Sequence, residues 1–160
     1  MSVTIRKMTS DEFARFYAWS VESQTKELME ELGLSQEEAS KEALKEISEM
    51  LPHGFHTEHT DLMTVAADGE NVGFIWTLYE ESDGQKQVFL CDFAIWQPNR
   101  RKGYGAAALS LAEKNAAKAG CQKCVLFVSD NNAAAKALYD KCGYQTLRQK
   151  DYGNYMVKQL

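Results

Sequence analysis

The sequence predicts a mixed α/β fold, in which a central sheet of about seven strands is flanked by helices on both faces. Seven segments show the period-two alternation or the short apolar runs of strands, and four show the apolar spacing of amphipathic helices. In chain order these segments read βααβββαβαββ, with one β-loop-α-β crossover near the centre. Residues 1–160 are expected to form a single domain, because one hydrophobic core can serve a chain of this length.

The N-terminal part of the pattern is a strand followed by two helices. The strand covers residues 3–8, and a capping box at residues 9–12 then begins a helix that Gly33 ends. Residues 35–38 cap a second helix, which Pro52 stops. The positions of this second helix that we expect to face inward are Ala39, Ala43, Leu44, Ile47 and Leu51.

A hairpin and a third strand follow these helices. The dipeptide Asp68-Gly69 supplies the positive φ angles of a tight turn, so it is expected to join strands over residues 62–67 and 72–79. The next strand is expected over residues 87–96.

The C-terminal part begins at a glycine-containing loop. Helical spacing covers residues 106–119, and a short apolar strand follows over residues 124–128. A second helix begins at Asn131 or Asn132, either of which is a good cap, and ends at Gly143. The final two strands are expected over residues 144–148 and 155–157.

The charge of the chain is distributed unevenly. A net charge of −5 argues against a nucleic-acid partner, because phosphate backbones are bound by faces rich in Lys and Arg. Residues 1–96 contain 19 acidic and 7 basic residues, whereas residues 97–160 contain 4 acidic and 11 basic residues. The first segment therefore has a charge of −12 and the second a charge of +7.

Neither a membrane association nor a metal site is indicated. The sequence lacks the apolar core of a signal segment and a run long enough to span a bilayer, so we expect a cytoplasmic protein.

Cys121 and Cys124 have metal-ligand or redox spacing, but no second pair accompanies them, and we expect reduced, structural thiols. His53, His56 and His59 recur every third residue, yet a proline and a glycine interrupt any helix that would align them. Solvent-exposed loop histidines are expected instead.

The loop at residues 100–105, Arg-Arg-Lys-Gly-Tyr-Gly, places free backbone amides and three basic side chains where a pyrophosphate could bind. The Walker pattern is absent, since no Gly-Lys pair is followed by Ser or Thr. A dinucleotide fold is a stronger rival, because residues 103–108 match Gly-x-Gly-x-x-Ala and Asp130 lies about 20 residues further on. Against it, the crossover follows a hairpin rather than another βαβ unit. A purely structural turn is the third interpretation.

Residues 86–157 resemble the GNAT superfamily of acyl-CoA-dependent N-acyltransferases. The family signature Arg/Gln-x-x-Gly-x-Gly/Ala, placed after a strand, matches Arg100, Gly103 and Gly105. The family's second motif, Asn-x-x-Ala-x-x-Leu-Tyr-x-x-x-Gly-Phe/Tyr, matches Asn132, Ala135, Leu138, Tyr139, Gly143 and Tyr144. Two motifs in the correct order and spacing identify the chain as a GNAT-like protein. The resemblance implies a mostly antiparallel sheet, with residues 86–157 as the acyl-CoA-binding core and residues 1–60 as a variable, acceptor-side region.

The resemblance also implies how acetyl-CoA would bind as cosubstrate. The backbone amides of Arg101, Lys102, Gly103, Tyr104, Gly105 and Ala106 would hold the pyrophosphate, and Arg100 and Lys102 would support its charge. The pantetheine arm would form main-chain hydrogen bonds with Phe93, Ala94 and Ile95, in the manner of an added strand. Asn132 would contact the same arm.

Two residues are candidates for proton transfer. Tyr139 lies about two helical turns after Asn132, and the resemblance implies that its hydroxyl faces the sulfur as general acid. Without the motif it would be read as a core aromatic. Asp92 interrupts an apolar strand, where burial would raise its pKa toward the range of a general base, although a structural hydrogen bond explains it equally well. Some family members have a catalytic glutamate earlier on this strand, where this chain has Phe89.

The expected activity is transfer of an acetyl group from acetyl-CoA to a primary amine, directly and in a ternary complex. The acceptor could be a small molecule, a peptide or a protein amine, and the acidic first segment favours a cationic one. Those acids could instead only solvate helix faces. A module that senses acyl-CoA without turnover is the alternative. The oligomeric state is open, a homodimer included.

Overall fold

The computed structural model describes residues 2–160, which form two compact units. One is a helical unit, Met8–Glu58. The other is a sheet unit, made of the chain up to Lys7 together with His59–Leu160. Both regions that carry the family motifs lie in the sheet unit.

The helices and strands follow the predicted order. The helical unit contains α1 (Ser10–Leu32), α2 (Gln36–Met50) and a 3₁₀ turn (Gly54–His56). The sheet unit contains β1 (Val3–Lys7), β2 (Thr60–Ala67), β3 (Glu70–Ser82), β4 (Gln85–Ile95), a 3₁₀ turn (Gln97–Asn99), α3 (Tyr104–Lys118), β5 (Lys123–Ser129), α4 (Ala133–Lys141), β6 (Gln145–Lys150) and β7 (Gly153–Gln159).

The sheet confirms the predicted fold class. Its seven strands are ordered β1-β2-β3-β4-β5-β7-β6. The β4–β5 pair is parallel, as a crossover through α3 requires, and the other neighbouring pairs are antiparallel. This mixed, mostly antiparallel arrangement is not the doubly wound parallel sheet of a dinucleotide fold.

Local signals placed the helix ends of the helical unit correctly. Thr9 and Glu12 form both bonds of the capping box, at 2.9 and 3.2 Å, and Gly33 closes α1 with a φ of +66°. Ser35 caps α2. The prediction that Leu44 faces inward is wrong, because 48% of this residue is exposed, while Ala39 and Ala43 are fully buried.

The strands of the central hairpins are longer than predicted. Asp68 and Gly69 have φ angles of +50° and +86°, which confirms the predicted turn. A second turn of the same kind, Asp83-Gly84, joins β3 to β4 with φ angles of +54° and +75°. The sequence analysis missed it because the polar strand ends beside it show no apolar alternation.

The crossover helix α3 begins earlier than expected. Gly103 is its cap, with a φ of +83°, so the first helical residue is Tyr104 rather than Ala106. Of the two candidate caps for α4, Asn132 is correct, since its side chain accepts a 3.1 Å hydrogen bond from the Ala135 N–H.

One face of the sheet packs against α3 and α4. Buried side chains of α3, α4 and the strands belong to a common apolar cluster, among them Leu109, Tyr139, Val88, Leu126 and Met156. This packing fixes both helices relative to β4 and β5, and it is between those two strands that the candidate site lies.

Candidate active site

The parallel strands β4 and β5 separate along their length. Their register ends at the pair Leu90 and Leu126, whereas β4 continues to Ile95 and β5 to Ser129. A β-bulge in β4 adds one residue, Cys91, where the register with β3 shifts, and a bulge bends its strand. We call the gap beyond this point the β4–β5 opening. Main-chain groups along such an opening can pair with an extended ligand.

The glycine loop lies directly after the end of β4. The Arg100 Nε donates a 2.8 Å hydrogen bond to the Ile95 carbonyl, which ties the loop to the strand. Arg101 has a φ of +64° and Gly103 a φ of +83°, and such left-handed residues make concave backbone segments that bind anions. The left-handed conformation of a non-glycine residue such as Arg101 is also strained, which is common at functional sites. The side chains of Arg100, Arg101 and Lys102 are exposed.

The start of α3 is open to a ligand on one side and packed on the other. No heavy atom lies within 4 Å of the position that a Cβ of Gly103 would occupy. A Cβ at Gly105 would lie 3.5 Å from both Leu138 and Phe93. The N–H groups of Tyr104, Gly105 and Ala106, in the first helical turn, have no partner within the helix. The terminus therefore offers donors and positive dipole charge, which fits a pyrophosphate.

Tyr139 lies on α4, next to the Leu138 that approaches Gly105. It is buried, with 8% of its surface exposed. Burial raises the pKa of the Tyr139 hydroxyl, and the negative charge of Asp92 raises it further. The hydroxyl therefore keeps its proton at neutral pH. A protonated phenol can donate its proton to a leaving group within hydrogen-bond reach.

Asp92 lies on the sheet face opposite α3. Its register partner is Trp76, while the side chains of Phe93 and Ile95 point toward Gly105 on α3. The Asp92 carboxylate accepts a 2.9 Å hydrogen bond from the Phe93 N–H. Asp92 thus makes a structural hydrogen bond, to an amide of its own strand, which was the alternative to a catalytic role.

The predicted candidates lie on β4, on the loop after β4, at the start of α3 and on α4, all within the sheet unit. Residues 93–95 border the β4–β5 opening, residues 100–106 follow it in the chain, and Asn132 and Tyr139 stand at the cap and in the last half of α4. The bulge at Cys91 has no signal in the sequence. It places Leu90 and Phe93 on the same face, paired with the alternate residues Thr77 and Ile75 of β3.

A second feature that was not predicted from the sequence is a buried polar cluster on the inner side of α3, in which Glu113 accepts hydrogen bonds from Tyr144 and Lys158. A glutamate within the apolar stripe of a helix was the signal for this cluster.

The cysteines and histidines show no arrangement for metal binding. Among residues 2–160, no group of three or more His, Cys, Asp or Glu side chains is placed to hold an ion. Cys121 and Cys124 are buried free thiols, and burial raises the pKa of Cys124 to about 11. Such thiols are inert at neutral pH.

Comparison with known proteins decides the family. The family model described as "Acetyltransferase (GNAT) family" matches residues 13–144. The chain belongs to the GNAT acetyltransferase family. This membership confirms the resemblance carried by the two motifs, and it supports acetyl-CoA as the cosubstrate.

Similar GNAT proteins have the same fold. The Bacillus subtilis protein YycN, described as an uncharacterized N-acetyltransferase, is 27% identical over 146 residues, which cover 91% of this chain and 94% of YycN. Its crystal structure superposes with a TM-score of 0.87 at 25% identity, covering 93% of this chain and 96% of that one.

Two further crystal structures share the fold at lower identity. One is the PaiA N-acetyltransferase from Thermoplasma acidophilum in complex with coenzyme A, with a TM-score of 0.69, 21% identity and full coverage of both chains. The other is spermidine N-acetyltransferase from Vibrio cholerae in complex with CoA and spermine. It has a TM-score of 0.67 and 15% identity, covering 98% of this chain and 95% of that one.

Among the described residues, none of the helices is both long and apolar enough to cross a bilayer.

Proposed function

We propose that this GNAT protein transfers an acetyl group from acetyl-CoA to a primary amine, directly and within a ternary complex. The observation that carries the proposal is the meeting of three features at one end of the sheet unit. The start of α3 presents free amides, β4 and β5 separate beside it, and Tyr139 lies buried and protonated on the adjacent helix. These features match the pyrophosphate, the pantetheine arm and the thiolate of coenzyme A, in that order.

The loop after β4 binds the pyrophosphate in this proposal. The backbone amides of residues 101–106 donate to the phosphate oxygens, and the open space at Gly103 lets the phosphates approach the backbone. Arg100 and Lys102 add positive charge at the surface. Arg100 also holds the loop to Ile95, which keeps its donors in place before the ligand arrives.

The β4–β5 opening receives the pantetheine arm. Phe93, Ala94 and Ile95 form the β4 edge of this opening, and their main-chain groups pair with the amides of the arm as a strand would. Asn132, at the start of α4, contacts the arm from the other side. Its side-chain oxygen already caps α4, so its amide N–H₂ group is the part that serves the ligand.

Tyr139 supplies the proton that the departing thiolate needs. The amine nitrogen attacks the thioester carbonyl, the C–S bond breaks, and the sulfur takes the hydroxyl proton of Tyr139. Because burial and the charge of Asp92 raise the pKa of Tyr139, the group is in its acid form across the neutral range. The tyrosinate that results regains a proton from solvent as coenzyme A leaves.

Asp92 is the candidate base for the proton lost by the amine. It lies on the sheet face opposite α3, so an acceptor that approaches from that face would meet the carboxylate. Its hydrogen bond with the Phe93 N–H orients it at the bulge.

Replacing Asp92 by asparagine is expected to lower kcat about 100-fold, because one proton-transfer group is lost, while the acetyl-CoA Kd changes little. The side-chain oxygen of asparagine can still accept the hydrogen bond from the Phe93 N–H, which limits the loss of stability. Steady-state rates and calorimetric affinities of the variant check this. Asp61→Asn is the control, since Asp61 lies on β2, which β3 separates from β4, and accepts a hydrogen bond from Tyr79, so this variant should keep full turnover. If Asp92→Asn lowers the melting temperature but leaves kcat unchanged, the residue only braces the strand.

The charge of the chain favours a cationic acceptor. The basic segment 97–160 contains the proposed loop for the anionic coenzyme A, whereas the excess of acidic residues, 19 against 7 basic ones, lies in segment 1–96. A field of one sign near a site raises the local concentration of ligands of the opposite sign. The solved spermidine N-acetyltransferase, whose fold this chain shares, binds spermine. A polyamine, an aminoglycoside or a lysine-rich peptide would suit this charge.

Salt dependence tests the acceptor class. For a cationic amine, kcat/KM should fall severalfold as the ionic strength rises from about 0.01 to 0.15 M, because screening shortens the range of the field. A neutral amine of similar size should respond little. The readout is thiol release from acetyl-CoA in the presence of each amine. An equal salt response for both amines, or a preference for acidic acceptors, would contradict the cationic assignment.

A further inference from the structure

A buried polar cluster joins α3 to the end of α4. Glu113, on the inner side of α3, is only 9% exposed. One carboxylate oxygen accepts a 2.8 Å hydrogen bond from the Tyr144 hydroxyl, and the other accepts a 2.9 Å hydrogen bond from the Lys158 Nζ on β7. Burying a carboxylate without hydrogen-bond partners costs free energy of folding, so the two hydrogen bonds are expected to hold Glu113, Tyr144 and Lys158 together.

The cluster fixes the ring of Tyr144. Burial, and then the nearby Cys124 and Glu113, raise the pKa of the Tyr144 hydroxyl, which therefore remains a donor to Glu113. The Lys158 Nζ also lies 5.9 Å from the centre of the Tyr144 ring, within the range of a cation–π contact. The ring is thus held at its hydroxyl end and over one face.

Tyr139 packs against this fixed ring. The ring centroids of Tyr139 and Tyr144 lie 5.7 Å apart at an interplanar angle of 60°, an edge-to-face contact. The Tyr144 N–H also donates a 3.0 Å hydrogen bond to the Tyr139 carbonyl. A displacement of the Tyr144 ring would therefore be transmitted to the ring of Tyr139.

We propose that Glu113, Tyr144 and Lys158 are positioning residues that hold the Tyr139 hydroxyl in line for proton transfer. The proposal rests on the function proposed above, because it requires Tyr139 to be the general acid. The cluster contacts Tyr139 through the ring of Tyr144 and includes no residue of the glycine loop. Misplacing a reacting group by about 1 Å can cost on the order of 100-fold in rate, so a small shift of the ring would be visible in kcat.

The test compares Tyr144→Phe in two backgrounds. In the wild-type background the variant keeps the ring but releases it from Glu113, so kcat should fall about 10-fold while the KM for acetyl-CoA stays within about twofold. In the Tyr139→Phe background the same substitution should have no further effect on kcat, because the group that it positions is already absent. Lys158→Arg keeps a donor for Glu113 and should restore most of the rate that Lys158→Met loses.

The outcomes separate the two proposals. If Tyr139→Phe alone keeps the full wild-type rate, the general-acid assignment fails, and the positioning role fails with it. If Tyr139→Phe is slow but Tyr144→Phe is folded and fully active, only the positioning role is overturned. Equal losses of kcat from Tyr144→Phe in both backgrounds would also overturn it, since a purely structural change acts on either enzyme. Should Tyr144→Phe not fold, Lys158→Met, whose side chain is 30% exposed, gives the same two-background comparison.

Discussion

Valine at position 103 is expected to abolish measurable acetyl-CoA binding. Gly103 caps α3 with a φ of +83°, a conformation that a β-branched residue rarely adopts. The new Cβ would also enter the open space through which the phosphates reach the loop amides. Losing two or more charge-assisted hydrogen bonds corresponds to a weakening on the order of 100-fold or more. Isothermal calorimetry of Gly103→Val with acetyl-CoA measures this loss.

A second glycine provides the matched control. Gly84 has a φ of +75° and open space at its Cβ position, but it lies in the turn at the opposite end of β4. Gly84→Val should lose a similar amount of stability from backbone strain and still bind acetyl-CoA as the wild type does. Unchanged affinity in Gly103→Val, or equal losses of affinity in both variants, would refute the loop as the pyrophosphate site.

Removing the hydroxyl of Tyr139 is expected to lower kcat by about 100-fold or more, with little change in the acetyl-CoA Kd. Phenylalanine keeps the ring and its contact with Tyr144, so the change isolates the proton donor. Thiol release under saturating substrates gives kcat, and calorimetry gives the affinity.

The control for this prediction is a half-buried tyrosine, Tyr79. Burial, followed by the hydrogen bond to Asp61, raises the pKa of Tyr79 as well, but this residue lies on β3 away from the β4–β5 opening. Tyr79→Phe should keep its turnover. A fully active Tyr139→Phe variant would rule out the acid role, and the thiolate would then take its proton from water.

Signals that act over a few residues predicted much of the fold. The capping box of Thr9 and Glu12, the Gly33 terminus and the Asp68-Gly69 turn each depend on local backbone chemistry, and the structure contains all three. The α3 boundary was misplaced because the sequence shows two glycines, and only the backbone angles reveal that Gly103 rather than Gly105 caps the helix. Helical spacing predicted that Leu44 faces inward. The buried face of α2 is narrower than that spacing suggests, because Ala39, Ala43 and Ile47 are buried while 48% of Leu44 is exposed.

Features of the site that depend on pairing between distant segments could not be predicted. The point at which β4 and β5 separate is set by the register of Leu90 with Leu126 and by the bulge at Cys91, and neither has a local sequence signal. The contacts of Glu113 join residues 31 and 45 positions apart in the chain. The family motifs drew attention to Tyr139 and Asn132, but they did not reveal that buried cluster beside them.

Initial rates of thiol release by the wild-type protein, with acetyl-CoA and an amine both varied, test the central claim most directly. Direct transfer in a ternary complex predicts that the rate of thiol release depends on the concentrations of both substrates. It also predicts that double-reciprocal plots of rate against substrate concentration intersect. Parallel plots would indicate an acyl-enzyme intermediate and contradict direct transfer. Acetyl-CoA binding without thiol release, for cationic, neutral and acidic amines alike, would contradict the enzymatic assignment and identify an acyl-CoA sensor.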